Sequence, residues 1–442
     1  MRALTEEILA LPAVECFGRV VAVQGLLVEV AGPVHAMRIG SRIRIESGAD
    51  VTIPCEVVGF RDERAICMPF SHLEGVRMGA RAVIEAAEAV IHPSRAWLGR
   101  VVNARGEPID GKGPLASGPL ARPLRAAPPP AHERVRLGPP IDLGVRAINT
   151  FLTCCQGQRM GIFAGSGVGK SVLFSMLARN AKADVSVIGL IGERGREVQE
   201  FLEDDLGPEG LERSVVVVAT SDETALMRRQ AAWLTMSLAE HFRYGGGNVL
   251  CLIDSLTRFA MAQREIGLAG GEPPTAKGYT PTVFTELPRL LERAGPGACG
   301  GAITGLFTVL VEGDDHNEPI SDAVRAIVDG HIVMERAVAE RGRFPAISIS
   351  KSVSRTMPRS ADPAFLPAIH KARKLMATYA DMEELIRLGA YRRGSDPAVD
   401  EAIERNEALE AFLAQGKDEV TTIDDAYQQL ARIVLHEGKD AA

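Results

Sequence analysis

The spacing of apolar positions changes several times along the chain. Over residues 1–17, Leu4, Ile8 and Leu11 fall at helical spacing until Pro12 interrupts. A docking helix and a frayed terminus both remain open for this piece. From Gly18 to about Val90 the apolar runs shorten and alternate, as in Leu27-Val28-Glu29-Val30 and Arg42-Ile43-Arg44-Ile45, with Gly25, Gly32-Pro33, Gly40 and Gly48 as turns. That spacing predicts a small all-β barrel over 18–90. Pro93, Pro108, Pro114, Pro123 and Pro128-Pro129-Pro130 follow. Proline fixes φ and removes donors, so 91–140 reads as an extended linker laid over a surface.

Between about 150 and 350 the texture is strand, helix, strand. The runs Met160–Ala164, Val185–Ile191, Val215–Ala219, Val249–Ile253 and Ile303–Val311 are apolar without alternation. Strands covered on both faces look like this, so the pattern predicts a parallel sheet between two helical layers. After about Asp362 the pattern turns helical and charged. Asp396-Pro397 reads as an N-cap with proline at the first helical position, and Thr421 with Asp424, or Thr422 with Asp425, as another start. The expectation is a multidomain α/β chain: an N-terminal segment at 1–17, a β-barrel at 18–90, a P-loop domain of RecA-like type at 91–365 and a helical domain at 366–442.

A length of 442 residues suits two or three cores rather than one. The net charge of −7 and an aromatic content of 5% argue against a surface that neutralises phosphates or stacks bases, so no nucleic-acid partner is expected. Cys16, Cys55, Cys67, Cys154, Cys155, Cys251 and Cys299 are odd in number, form no C-x-x-C, and mostly sit in apolar runs. They read as buried thiols in a reducing compartment. No apolar run reaches the ~20 residues of a membrane span and no signal-peptide pattern opens the chain, which points to the cytoplasm.

The strongest chemical signal is Ala164-Gly165-Ser166-Gly167-Val168-Gly169-Lys170-Ser171, between a strand and a helical run. Its glycines let backbone N–H groups turn inward onto phosphate oxygens. Lys170 would reach the β- and γ-phosphates of ATP, and the Ser171 hydroxyl would ligate Mg2+. Alanine stands at the first position, where the common pattern has glycine; that position shapes the turn. A second signal is Asp254, a carboxylate closing an apolar strand at the sheet edge that carries the P-loop, suited to hold the Mg2+. A third is Gly192-Glu193-Arg194-Gly195-Arg196-Glu197 after another strand. Glu193 could polarise an attacking water, or the run could be a solvated cap of the next helix; spacing alone leaves the two even.

These three motifs, with Pro140–Ile148, Lys277-Gly278-Tyr279 and Ser352-Val353-Ser354-Arg355, resemble the F-type/type III secretion ATPase family over nearly the whole chain from Gly18. Ala260–Leu268 with Gly271-Glu272-Pro273-Pro274 is most similar to the flagellar branch. The resemblance implies an ATPase, with Glu193 orienting the attacking water, since a non-catalytic sister subunit would carry glutamine there. It implies Arg194 and Arg258 near the γ-phosphate and Arg355 as an arginine finger reaching a neighbour's nucleotide. Phe344 would stack on adenine, with Tyr391 on the other side. An arginine finger in trans implies a homo-hexameric ring. The family's barrels hold that ring together, and its C-terminal helices face a coiled-coil central stalk, export substrates and chaperones. A peripheral stalk protein would dock at the N-terminus, and the ring would sit at the inner membrane against an export gate.

The segment before the barrel looks short for the family. The acidic tip loop of the ATP-synthase catalytic subunit is not evident in residues 373–430, and the large insertion of vacuolar-type catalytic subunits is absent after the barrel. The expected function is therefore ATP-driven flagellar protein export, the alternatives being an injectisome ATPase or the catalytic subunit of a rotary proton ATPase.

Overall fold

The structure is a computed structural model, and it describes residues 15–48, 51–86, 89–298, 300–315 and 317–435. Leu4, Ile8, Leu11 and Cys299 lie outside the described residues. Six antiparallel strands, β1 (Phe17–Gln24), β2 (Leu27–Ala31), β3 (Arg42–Glu46), β4 (Thr52–Arg61), β5 (Arg64–Pro69) and β6 (Arg81–Ala86), close a barrel in the order β1-β2-β5-β4-β3-β6. Alternation explains its interior: Val28 and Val30, Ile43 and Ile45, and Cys55 and Val57 point inward and are fully buried. Closure leaves no exposed sheet edge on the barrel.

The proline-rich stretch beyond it carries β7 (Val90–Ile91), β8 (Arg100–Asn103) and β9 (Arg122–Pro123), with β7 and β9 pairing briefly. The expectation of a purely extended linker is corrected at β8. This strand lies parallel to a strand of the main sheet and forms its edge, because Val101 and Val102 are apolar enough to be buried there. The turn after β8 is set by two side chains. Asn103 Oδ1 accepts from the N–H groups of Arg105 and Glu107, and Asp110 accepts from Val101 and Lys112 while gripping Arg100 through two hydrogen bonds of 2.7 and 2.9 Å.

The main sheet consists of β8 with β10 (Arg159–Ala164), β11 (Val185–Glu193), β12 (Ser214–Thr220), β13 (Asn248–Asp254), β14 (Gly295–Pro296), β15 (Ala302–Leu310), β16 (Gly330–Met334) and β17 (Ile347–Ser354). Its order is β17-β16-β10-β15-β13-β11-β12-β8, parallel apart from β17 and the short β14 beside β15. Alternate residues serve two cores. Val187, Val217, Cys251 and Ile253 face one helical layer, and Ile188, Leu190, Val216 and Leu252 face the other. Two buried faces are why these strands show no polar alternation. The pattern missed β16 and β17: the first is short, and the second alternates serine with apolar residues.

Helices Leu366–Arg387, Pro397–Leu413 and Ile423–Leu435 form the C-terminal region. Asp396 caps the second through Ala398 N–H at 2.8 Å, and Thr422 caps the third through Asp425 N–H at 3.2 Å. The other start, Thr421, is not a cap; it is buried against the Arg146 guanidinium. Arg146 ties this region to the sheet domain, donating to the carbonyls of Phe412 and Ala414 and pairing with Glu419.

Arg293 does the same for the proline-rich stretch. It is wholly buried, forms two hydrogen bonds of 2.9 and 2.7 Å to Glu240, and donates to Ser237 and to the Leu124 carbonyl. Removing one partner of such a pair strands the other charge. Arg293→Met should therefore destabilise the protein by about 3–5 kcal/mol in urea unfolding, and adding Glu240→Leu should regain much of the loss. Equal losses in the single and double variants would show that the charge pairing is not what matters there.

Candidate functional site

The parallel strands β10, β11, β13 and β15 end together, and the site lies at that end. The P-loop leaves β10 after Ala164 and turns through Gly165, Ser166, Gly167 and Val168 to Gly169, with φ of +78° at Gly167 and +89° at Gly169, conformations that glycine adopts without strain. Helix Lys170–Asn180 begins at once and has no acidic residue in its first turn. Its first N–H groups are thus unopposed donors for an anion. The far end of this helix is held by Arg213, which donates to the carbonyls of Ala178, Arg179 and Ala181. A cation there complements the helix dipole.

Lys170 Nζ is the hub. It bonds Asp254 Oδ1 at the end of β13 and lies 3.5 Å from Glu193 Oε1 at the end of β11. Burial works against the ammonium, but Asp254 and Glu193 outweigh it and hold Lys170 above its ordinary range. Asp254 also accepts from the Thr308 hydroxyl of β15 at 2.6 Å. Burial pushes the Glu193 carboxyl up and the Asp254 charge pushes it further, against the pull of Lys170, to about 7. A carboxyl near neutrality can both accept and return a proton.

A magnesium ion needs hard oxygen donors in a loose set that phosphates and water complete. Both hydrogen bonds of Asp254 fall on Oδ1, so Oδ2 has no protein partner among the described residues. Ser171 is exposed at the second position of the P-loop helix. Among the described residues no three His, Cys, Asp or Glu side chains converge as a protein-only metal cage. This donor set fits magnesium bound together with a nucleotide.

The remaining expected residues fall at different distances. Phe344 lies against the P-loop: a Cβ on Gly169 would meet its ring at 3.3 Å. Arg258 crosses Gly192, where an added Cβ would meet its side-chain carbons at 2.8 Å. Arg194 extends into solvent and pairs with Glu197 at 3.4 Å. Arg355 is elsewhere. Its N–H donates to the Asp329 carbonyl and Asp329 N–H to the Arg159 carbonyl, so it is level with the start of β10. The P-loop leaves the other end of that strand, roughly 16 Å away. The Arg355 guanidinium is exposed and donates weakly to the Arg325 carbonyl at 3.5 Å.

Tyr391 requires a correction. Its hydroxyl lies 3.0 Å from both Asp400 Oδ1 and the Asp396 carbonyl at the head of helix Pro397–Leu413. Phe344 is at the tail, its carbonyl bonded to Gln415 N–H at 2.8 Å. The helix separates them by roughly 20 Å, so Tyr391 does not share a pocket with Phe344 in one chain.

Sequence reasoning passed over Thr308 and Arg336. The Arg336 guanidinium donates to the Ser166 carbonyl of the P-loop at 3.0 Å. A hydroxyl inside the apolar run Ile303–Val311 was the available signal for Thr308. Arg336 has none, because its contact comes only from the sheet order that sets β16 beside β10.

Phosphate-turn glycines, a lysine, a strand-end aspartate and a neighbouring glutamate on one parallel sheet define a P-loop ATPase. Three family models match in series: the ATP synthase alpha/beta family beta-barrel domain over 20–84, the nucleotide-binding domain of the same family over 144–354, and the T3SS EscN ATPase C-terminal domain over 361–432. A flagellum-specific ATP synthase of Caulobacter vibrioides is 59% identical over 99% of this chain and 100% of its own length. A type 3 secretion system ATPase of Xanthomonas euvesicatoria is 43% identical over 97% of each. The assembled ATPase EscN of the enteropathogenic E. coli type III secretion system superposes with a TM-score of 0.89 at 42% identity, covering 94% of this chain and 100% of that one. A second EscN structure, in complex with its central stalk EscO, gives 0.87 at 41% identity, again covering 94% of this chain and 100% of that one. The chain belongs to the flagellar and type III secretion ATPase family.

Glu193 gives a pH prediction for the protein free of nucleotide. The fold disfavours its ionised form, so its contribution to stability is complete below the ordinary 4.5 and is lost as pH rises through about 7. Glu193→Gln should be more stable than the native protein at pH 8, by on the order of 2 kcal/mol, with the gap closing toward pH 5. Thermal melts across that range test it. A gap that does not change with pH would mean that Glu193 is not held neutral.

Proposed function

We propose that this chain hydrolyses ATP as one subunit of a homo-hexameric ring that energises export of flagellar proteins through a membrane gate. The observation that carries the reading is the separation of the site into two parts. Lys170, Glu193 and Asp254 meet in one chain, while Arg355 stands exposed roughly 16 Å away at the other end of the strands. A neighbouring subunit would bring its own Arg355 to this site.

The roles then follow from position. N–H groups of Gly165 to Gly169 and the Lys170 ammonium bind the nucleotide phosphates, and Lys170 leaves its two carboxylates to do so. Ser171 and Asp254 would hold magnesium, which would supply charge neutralisation at the transferring phosphoryl group. Glu193, released from Lys170, orients a water and takes its proton. Arg194 and Arg258 flank Glu193 and respond to the γ-phosphate. Phe344 packs on adenine, and Arg355 in trans stabilises the charge of a loose phosphoryl-transfer transition state.

Residues 18–90 are assigned to ring assembly, 91–365 to catalysis and 366–442 to coupling. Leu385 and Leu388 are exposed at the tip between the first two C-terminal helices, beside Arg387, Arg392 and Arg393. This apolar and basic tip suits a coiled-coil central stalk, and export substrates or chaperones would use the same end. It also lacks the acid expected of a rotary synthase, and the EscN-type match over 361–432 favours export as well. The higher identity to the flagellum-specific relative favours the flagellar branch over an injectisome. We place the ring in the cytoplasm against the inner-membrane export apparatus, with a peripheral stalk protein at the N-terminus. No helix among the described residues is long and apolar enough to cross a membrane.

Glu193→Gln should bind ATP almost normally but lose turnover by ~10²-fold or more, and Arg355→Ala should lose a comparable factor. Mixed under assembling conditions, the two variants should recover activity that neither has alone, because the Arg355→Ala site can borrow the other subunit's arginine. Specific activity should also rise with protein concentration, in the absence of any second protein. A mixture of co-assembled rings as inactive as its components would remove the trans role of Arg355.

A further inference from the structure

A cavity of about 320 Å3 lies between the barrel and the nucleotide-binding domain, away from the P-loop. Its polar wall comes from five separate segments. Arg42 and Glu56 belong to β3 and β4, Arg125 follows β9, Arg229 lies on helix Ala225–Tyr244, and Arg289 on helix Pro281–Leu291. Trp233, Leu124 and Pro123 supply an apolar side.

The charges here do not balance. Glu56 pairs with Arg229 and, at 3.7 Å, with Arg42. Glu286 pairs with Arg125 at 3.2 Å and Arg289 at 3.1 Å. Four guanidiniums thus face two carboxylates, a surplus of two positive charges among the described residues. Glu85, on β6, is engaged by Arg44 at 2.8 Å. Burial pushes Arg42 down to about 10 despite Glu56, with Arg229, Arg105 and Arg125 adding to the effect. Burial also works to raise Glu56, but the three arginines facing it prevail and keep it low, so it stays ionised. Arg229 is 5% exposed, and its Nε is buried without a hydrogen-bond partner among the described residues.

Buried positive charge without a counter-ion is costly, and a planar guanidinium matches a carboxylate or phosphate face. We propose that this cavity binds a small organic dianion, carrying carboxylate or phosphate groups on a short apolar body, and that the bound anion ties the barrel to the nucleotide-binding domain. The anionic groups would meet Arg125, Arg229 and Arg289, and the body would lie against Trp233 and Leu124. Ligand binding to the folded form alone then adds to stability by mass action.

The test uses the full chain with its P-loop saturated by Mg-ADP, so that phosphate groups cannot bind there. Succinate and glycerol 3-phosphate are titrated by calorimetry and in thermal melts, against sodium chloride of equal ionic strength. One site per chain and a raised melting midpoint are expected with at least one probe; which probe binds identifies carboxylate or phosphate as the preferred group. The double variant Arg125→Gln/Arg289→Gln, at the more exposed end of the cluster, should weaken the binding about tenfold or more and leave Mg-ADP affinity unchanged. Arg289→Lys alone, which keeps the charge, should lose less. No binding of either probe, equal binding by the double variant, or the same stabilisation from chloride would each overturn the proposal.

Discussion

One buried contact, the Lys170 ammonium between Asp254 and Glu193, governs how the rest of the site is built. Three strands and a helix must end within a few ångströms of one another for it to exist. Parallel pairing supplies that alignment, because Ala164 is level with Leu310, Ile253 with Phe307, and Leu190 with Asp254. A slip of one residue in any of these ladders would turn a strand-end carboxylate to the opposite face. The long apolar strands, with both faces in helical cores, therefore fix the register on which the chemistry depends. Thr308 belongs to the same constraint. β15 separates β10 from β13, so the strand between lysine and aspartate must present a hydroxyl rather than an apolar side chain.

Buried arginines tie the regions outside the sheet domain to it, beside the apolar clusters that the C-terminal helices and the barrel residues Met68 and Phe70 share with the sheet. Arg146 reaches the tail of helix Pro397–Leu413, Arg293 holds Leu124 of the proline-rich stretch, and Arg229 binds Glu56 of the barrel. The Arg146 and Arg293 guanidiniums each satisfy several carbonyl, hydroxyl or carboxylate oxygens at once, which a lysine could not do in the same geometry. Such joints are directional. They set the angle between layers more sharply than apolar packing alone, which tolerates exchange of similar volumes. A ring of identical subunits needs that sharpness, because a small error in the angle is repeated at each interface.

Much of this was legible in the sequence, and what was not has a physical reason. The parallel strands were readable because burial on both faces leaves an uninterrupted apolar run, and the barrel because closure enforces alternation. The P-loop announces itself locally: its glycines, lysine and serine are consecutive, and the turn that they make needs no distant partner. Asp254 and Glu193 are each ambiguous alone, and the sheet order joins them to Lys170. β8 was hidden among prolines, and its pairing with β12 depends on an edge that no local pattern reveals. Tyr391 was misjudged for the opposite reason: a resemblance supplied a role, and the length of one helix, with Asp400 at its head and Gln415 beyond its tail, removes the tyrosine from Phe344.

The same geometry bears on why a lone subunit should be a poor enzyme. Its lysine is occupied by two carboxylates, and the glutamate proposed as base is held near neutrality by burial and by Asp254. The arginine that would balance transition-state charge faces solvent at the far end of the strands. In the proposed mechanism, nucleotide phosphates would act on the first of these by competing for Lys170. Drawing Lys170 away would remove the ammonium that lowers the Glu193 carboxyl, while a cation at Asp254 would offset the negative charge that raises it; burial, the larger cause, would remain until water and phosphate enter the site. The phosphates would do nothing for the third, which the proposed ring supplies from another copy of the chain. In the proposed ring, substrate and neighbour are thus separate requirements met by different parts of the fold, and turnover follows assembly because the missing charge is supplied from outside the subunit.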